Sequence, residues 1–124
     1  MMSHIHGIRG AIQASENSVA AIKSATQSLL RAMMDDNGLT VDDIISAFFT
    51  MTIDLNADYP AAAARAMGWT AVPLLDAQEL EVPGGLPRVI RVLLHVRSTR
   101  VRDQIQHIYI GAAEALRPDL HNPA

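Results

Sequence analysis

The chain has 124 residues, about half of them apolar, a formal net charge of −3 and no cysteine. That length supports one compact core and is short for two, so residues 1–124 read as a single domain. The missing thiols exclude disulfides, thiolate metal cages and cysteine nucleophiles, and the acidic balance argues against nucleic-acid binding, which needs surplus Lys and Arg.

No apolar run approaches the roughly 20 residues of a membrane span, and MMSHIHGIRG lacks a basic-then-apolar signal layout. A cytoplasmic protein without membrane contact is therefore expected. Lys23 is the one lysine among ten basic residues, the other nine being arginine. Arginine keeps its charge when half-buried and offers a planar fork that matches a carboxylate. Anion binding in semi-enclosed places accounts for this choice, and so does compositional bias of the source genome.

Ile5 to Ala14 reads as a strand through its β-favouring Ile8 and Ile12. Arg9 sits in it near Gly7 and Gly10, which admit either a close approach of backbone or ligand, or an ordinary strand bend. Ser18 is placed to cap a helix running to about Asp36, with Ile22, Ala25, Leu29 and Met33 on one face and Asn37-Gly38 as its stop. Ala21 stands where a capping-box acid would sit, which weakens that start. Met33 and Met34 read as packing residues.

Thr40 with Asp42 and Asp43 predicts a capped turn, and Ile44 to Thr52 a buried strand. The turn-rich Asp54 to Pro60 leads into a short helix, Ala61 to Met67, with Pro60 at its first position, Arg65 projecting from it and Gly68 ending it. A third strand is expected over Val72 to Glu79, then a turn at Pro83 to Pro87. Gly84-Gly85 lacks the spacing and the Lys-Ser/Thr pair of a phosphate loop.

Val89 to Val96 is the clearest strand, and Arg91 lies in its middle. A cation in that position needs a carboxylate partner or an anionic ligand. Ile105 to Ile110 is a further strand, Gly111 to Leu116 a helical turn, and residues 117–124 a mobile tail. The histidines are spread out, His4 and His6 near the terminus and His95 and His107 on separate strands, and read as solvated or packed residues, so no metal is expected. Trp69 reads as a packing anchor.

The pattern gives an α+β layer, a mixed sheet with one long helix and short helical turns. One helix cannot hide both sheet faces, so oligomerisation with sites at subunit boundaries follows. Residue chemistry alone leads to an oligomeric α+β protein that binds an anion.

Several segments, in order, carry something more specific: Gly7-Ile8-Arg9-Gly10-Ala11, Thr52 to Ala61 (TIDLNADYPA), Gly68-Trp69, Val72-Pro73, Gln78-Glu79, Gly84-Gly85-Leu86, Ile90-Arg91-Val92, His107-Ile108-Tyr109 and Leu116-Arg117-Pro118-Asp119. Together they resemble the AroH-class chorismate mutases from Gly7 to Asp119. The resemblance implies an isomerase that converts chorismate to prephenate in phenylalanine and tyrosine biosynthesis, without cofactor. It further implies a homotrimer around a central pseudo-barrel of sheets, with pockets between neighbouring chains.

In that likeness Arg91 is the cation aimed at the ether oxygen of chorismate, and Glu79 the carboxylate that receives the ring hydroxyl. Arg9 and Tyr109 fix the side-chain carboxylate. Tyr59, Ala61 and Arg65 come from the adjacent subunit, with Tyr59 walling the pocket and Arg65 near its mouth. Leu116 and Arg117 belong to a tail that settles over ligand.

Three positions depart from other members: Asp76 stands where some have cysteine, supplying a second acceptor for the ring hydroxyl, Ala62 where some have lysine, and Tyr59 where some have phenylalanine. Asp76 and Glu79 are three apart and point to opposite faces of a regular strand, so both line one pocket only if the chain bends between them. Two other readings stand beside this one: a hydrolase of small keto-acid imines that keeps the trimer and the interfacial arginine, and a non-catalytic trimer that binds a dicarboxylate as a sensor or scaffold.

Overall fold

The computed structural model describes residues 2–120. Five strands form one mixed sheet: β1 (His4–Gln13), β2 (Ile44–Met51), β3 (Leu74–Gln78), β4 (Val89–Ser98) and β5 (Ile108–Ile110). Their order is β3-β2-β4-β1-β5. The central β4 is antiparallel to β1 and β2, while the edge strands β3 and β5 run parallel to their neighbours. Helices α1 (Val19–Asp36) and α2 (Pro60–Ala66) contribute to one core against one face of the sheet. This is the α+β arrangement that the hydrophobic pattern predicts.

Helix α1 starts where its cap allows. The Ser18 hydroxyl accepts the Ala21 N–H at 3.1 Å, satisfying one of the donors that a helix start leaves open. No acid in the first turn reciprocates, as Ala21 foretells. At the other end Asn37 does more than stop the helix. Its buried amide donates to Met33 O and Gln106 O at 2.8 and 2.9 Å and accepts the Gln106 N–H at 2.8 Å, tying α1 to the approach of β5.

Side-chain alternation sorts β4. Ile90, Val92, Leu94 and Val96 are buried towards the helices, whereas Arg91, Leu93, His95 and Arg97 share the other face. Trp69 is buried in the same core as Phe49, Ala61 and Ala64. Gly10 shows what its missing side chain is for: a Cβ there would lie 2.5 Å from Met33 Sδ and 3.1 Å from both Leu29 Cδ1 and Ile108 O. The close approach beside Arg9 is thus made by α1 and β5.

Three boundaries move for identifiable reasons. β3 begins at Leu74 and not at Val72, because Pro73 accepts from Ala47 N–H but has no N–H to give back. β5 is shorter than Ile105 to Ile110, since residues Arg102–Gln104 form a 3-10 turn that takes the Ile105 N–H, and Gln106 is engaged by Asn37. Residues Gly111–Leu116 and Pro118–Leu120 are also 3-10 turns, so the tail expected to be mobile from Arg117 starts in a defined shape. Positions 121–124 of that tail lie outside the described residues.

The far face of the sheet is only partly covered. Phe48, Leu75 and Leu93 keep 44%, 57% and 36% of their surface exposed there. Among the described residues no helix is long and apolar enough to cross a membrane.

Candidate active site

Arg91 lies at the centre of β4, flanked by Ala11 of β1 and Thr50 of β2. The carboxylate that a cation in a strand requires is Glu79: Arg91 Nε donates to Glu79 Oε1 at 2.6 Å. The Thr50 hydroxyl donates to the same oxygen at 3.1 Å. Glu79 is held by its own backbone, whose N–H donates to Met51 O at 2.9 Å just past the end of β3. With side-chain exposures of 39% for Arg91 and 18% for Glu79, the pair adds no more than about 1 kcal/mol to stability.

The ion pair uses Nε alone, which leaves both terminal nitrogens of the fork without an acceptor among the described residues. Arg91 lines a cleft of about 700 Å³ whose walls also include Thr52, Asp54, Glu79, Leu86 and Leu116. A cleft with an unfilled guanidinium fork beside a carboxylate can hold an anion and accept a hydrogen bond from a hydroxyl.

Beside it, on the same sheet face, Tyr109 pairs with Ala11 in the β1–β5 ladder. Its ring is buried with Ala11, Val89 and Ala113, and Leu116 packs against that cluster. Arg9 is exposed, two residues before Ala11 and on its face. The Arg9 backbone N–H donates to His107 Nδ1 at 3.0 Å, a bond that requires this nitrogen to be unprotonated. Burial, followed by the charges of Arg9 and Arg117, holds the His107 imidazole below its ordinary value. Arg117 is engaged in a fork with Asp119, at 3.0 and 2.7 Å, which keeps the Asp119 carboxyl low and the guanidinium high.

A second group gathers elsewhere. Pro60 opens α2, and Asp76 Oδ1 accepts the N–H of the next residue, Ala61, at 3.1 Å. Burial raises the Asp76 carboxyl, against the lowering effect of that N–H and of Arg65, and Asp58 adds to the rise. Tyr59 and Arg65 are exposed. The Ala61 methyl is buried in the core, so at this site the residue presents its backbone. Asp76 is paired with buried Phe49 and faces the helices, whereas Glu79 meets Arg91 on the opposite face. The alternation seen in sequence therefore holds, and the two carboxylates do not meet within one chain.

The structure thus gathers Arg9, Glu79, Arg91, Tyr109, Leu116 and Arg117 on one side of the sheet, and Tyr59, Ala61, Arg65 and Asp76 at the corner between α2 and β3. Sequence reasoning missed Thr50, His107 and Asp54. Only the bond of Thr50 to Glu79 and the cleft that Asp54 shares with Arg91 reveal the first and last. His107 stood inside a matching segment but carried no role.

Comparisons with known proteins show the family. The chain matches the family model for chorismate mutase type I over residues 5–120. It is similar to the chorismate mutase AroH of Thermus thermophilus, 44% identical over 119 residues that make up 95% of this chain and 98% of that protein. The chorismate mutase AroH of Bacillus subtilis is 38% identical over 117 residues, 94% and 92% of the two chains. A solved chorismate mutase from Clostridium thermocellum superposes with a TM-score of 0.87 and 45% identity, covering 89% of this chain and 98% of that one.

Proposed function

The chain belongs to the type I chorismate mutases and as an isomerase converts chorismate to prephenate, and we propose that it does so by positioning and electrostatics alone, with Arg91 as the central group. Chorismate is a flexible dicarboxylate. Its rearrangement breaks a C–O bond and forms a C–C bond in one cyclic transition state, with no proton transfer and no covalent intermediate. The protein then has two tasks, to hold the reactive fold of the substrate and to stabilise charge growing on the ether oxygen. A guanidinium already in place performs the second without reorganising.

The observation that carries this reading is the Arg91–Glu79 pair in the cleft, with the terminal nitrogens of Arg91 bonded to no acceptor among the described residues. Those nitrogens face the ether oxygen, and Glu79, already polarised by Thr50 and Arg91, receives the ring hydroxyl. Arg9 and Tyr109 take the side-chain carboxylate, and Leu116 and Arg117 close over it once Arg117 exchanges Asp119 for ligand.

The working form in this proposal is a homotrimer. The apolar Phe48, Leu75 and Leu93 on the uncovered face supply a reason to associate. The separation of Tyr59, Ala61, Arg65 and Asp76 from the Arg91 cleft supports a site shared by two chains. In the trimer these four come from the neighbour, and the raised carboxyl of Asp76 supplies a second acceptor for the ring hydroxyl. The enzyme acts in the cytoplasm, in phenylalanine and tyrosine biosynthesis.

Arg91→Lys tests the central claim. A point charge does not reproduce the fork, and by analogy with the loss of an oxyanion donor the substitution costs about 3 to 4 kcal/mol of transition-state stabilisation. Chorismate consumption followed by absorbance should fall by the corresponding factor. Near-normal turnover would remove Arg91 from the mechanism.

A further inference from the structure

The turn into β4 contains a backbone conformation that its own sequence does not favour. Arg88 has φ 53, and among the described residues no other non-glycine has a positive φ. In this left-handed region the Cβ of an L residue crowds the backbone, so glycine, asparagine or aspartate usually occupies it. Arginine has none of their advantages and must be held from outside.

The clamp is explicit. Both carboxylate oxygens of Asp54 accept the Arg88 N–H, at 3.1 and 3.0 Å. The Arg88 carbonyl accepts the Ala14 N–H at 2.8 Å, and its Nε donates back to Ala14 O at 3.0 Å. One residue on, Val89 N–H donates to the Thr52 hydroxyl at 3.0 Å and Val89 O accepts the Thr52 N–H at 3.0 Å. The Thr52 hydroxyl in turn donates to Asp54. The ends of β1 and β2 therefore grip the first residues of β4, two positions before Arg91. Asp54 and Arg91 also line the same cleft.

We propose that Asp54 is a positioning residue for the rearrangement: by holding Arg88 left-handed it fixes where β4 begins, and so where the Arg91 guanidinium meets the reacting oxygen. This rests on the reading that Arg91 stabilises that oxygen. A carboxylate is suited to the task because it accepts the Arg88 N–H and the Thr52 O–H together. Its negative charge is spent on these donors instead of standing open against a dianionic substrate.

Glycine at position 88 adopts φ 53 without a clamp, which turns the proposal into a rescue experiment. Steady-state kinetics and circular dichroism would be measured for Asp54→Ala, Asp54→Asn, Arg88→Gly, Asp54→Ala/Arg88→Gly and Arg91→Ala. A guanidinium shifted by a fraction of an ångström to an ångström lowers kcat of Asp54→Ala roughly 10- to 100-fold, with KM changed much less. Arg88→Gly alone loses only what the Nε bond to Ala14 O contributes, far less than Asp54→Ala, and the double variant recovers kcat to the level of Arg88→Gly. Should Asp54→Ala fail to fold, Asp54→Asn, which keeps one acceptor, carries the comparison.

Unchanged kcat in Asp54→Ala would overturn the proposal, as would a folded double variant no faster than the single one. A residue that touched substrate directly would raise KM and gain nothing from Arg88→Gly. Full turnover in Arg91→Ala would overturn the reading of Arg91 and the positioning role with it. A normal loss in Arg91→Ala beside an unaffected Asp54→Ala would overturn the positioning role alone.

Discussion

A single imidazole joins two parts of the proposed site. His107 Nδ1 accepts the backbone N–H of Arg9 at 3.0 Å, where β1 has yet to meet β5, whose ladder begins at Gly10 and Ile108. The neutral ring suits that acceptor role, and burial with the nearby Arg9 and Arg117 charges pushes its pKa below the ordinary 6.5. The sign of the stability effect follows. Below about pH 6.5 the unfolded chain binds a proton at this residue and the native one does not, so stability rises with pH. The contribution is complete above pH 6.5 and is lost as pH falls through the depressed native value. We predict an NMR titration of His107 with a midpoint below 6.5, and a flatter stability curve between pH 7 and 5 in His107→Gln, whose amide oxygen can still accept. A midpoint at or above 6.5 would sink this account. Asp76, raised by burial, works with the opposite slope at lower pH, so the variant and not the whole curve isolates His107. The chemical step itself should change little around neutrality, since in the proposed mechanism no group donates or removes a proton.

At the level of elements, the seating of α1 on β1 depends on the absence of a side chain at Gly10. A Cβ would meet Met33 Sδ at 2.5 Å, which the flexible thioether can yield, and Ile108 O at 3.1 Å, which backbone cannot. Gly10→Ala should therefore lower unfolding stability by about 1 to 3 kcal/mol in urea titration. Met33→Ala introduced with it should cost less than the sum of the single losses, because the two changes share one space; full additivity would contradict the packing described. The same elements show what a sequence reveals. Local chemistry announces α1, through the Ser18 cap, the apolar face and Asn37-Gly38, and alternation places Asp76 and Glu79 on opposite faces. The reach of Asn37 to Gln106, of Arg9 to His107 and of Arg88 to Asp54 spans 69, 98 and 34 positions. No periodicity encodes contacts of that kind, so the pattern makes β5 too long and shows no role for Asp54 or His107. Most candidate site residues became legible through family likeness, not through patterning.

For the whole molecule the question is how the two groups proposed to serve one substrate, on different sides of one chain, come together. Arg91 and Glu79 share a cleft on the open sheet face, while Asp76 faces the helices, where it bonds to Ala61 at the start of α2. If each site takes its cleft from one subunit and its α2 corner from the next, defects in the two halves should complement. Arg91→Ala chains carry an intact α2 corner, and Tyr59→Ala/Arg65→Ala chains carry an intact cleft. Each homogeneous preparation should be nearly inactive. After the two are unfolded together and refolded in equal amounts, a ring assembled at random restores about a quarter of its sites, since a cleft and the adjoining corner are each intact half the time. Activity close to that fraction of wild type, in a species whose sedimentation mass is three chains, is the expected result. A mixture no more active than its components would mean that one chain supplies the whole site, and the apolar face bearing Phe48, Leu75 and Leu93 would then need another reason to exist.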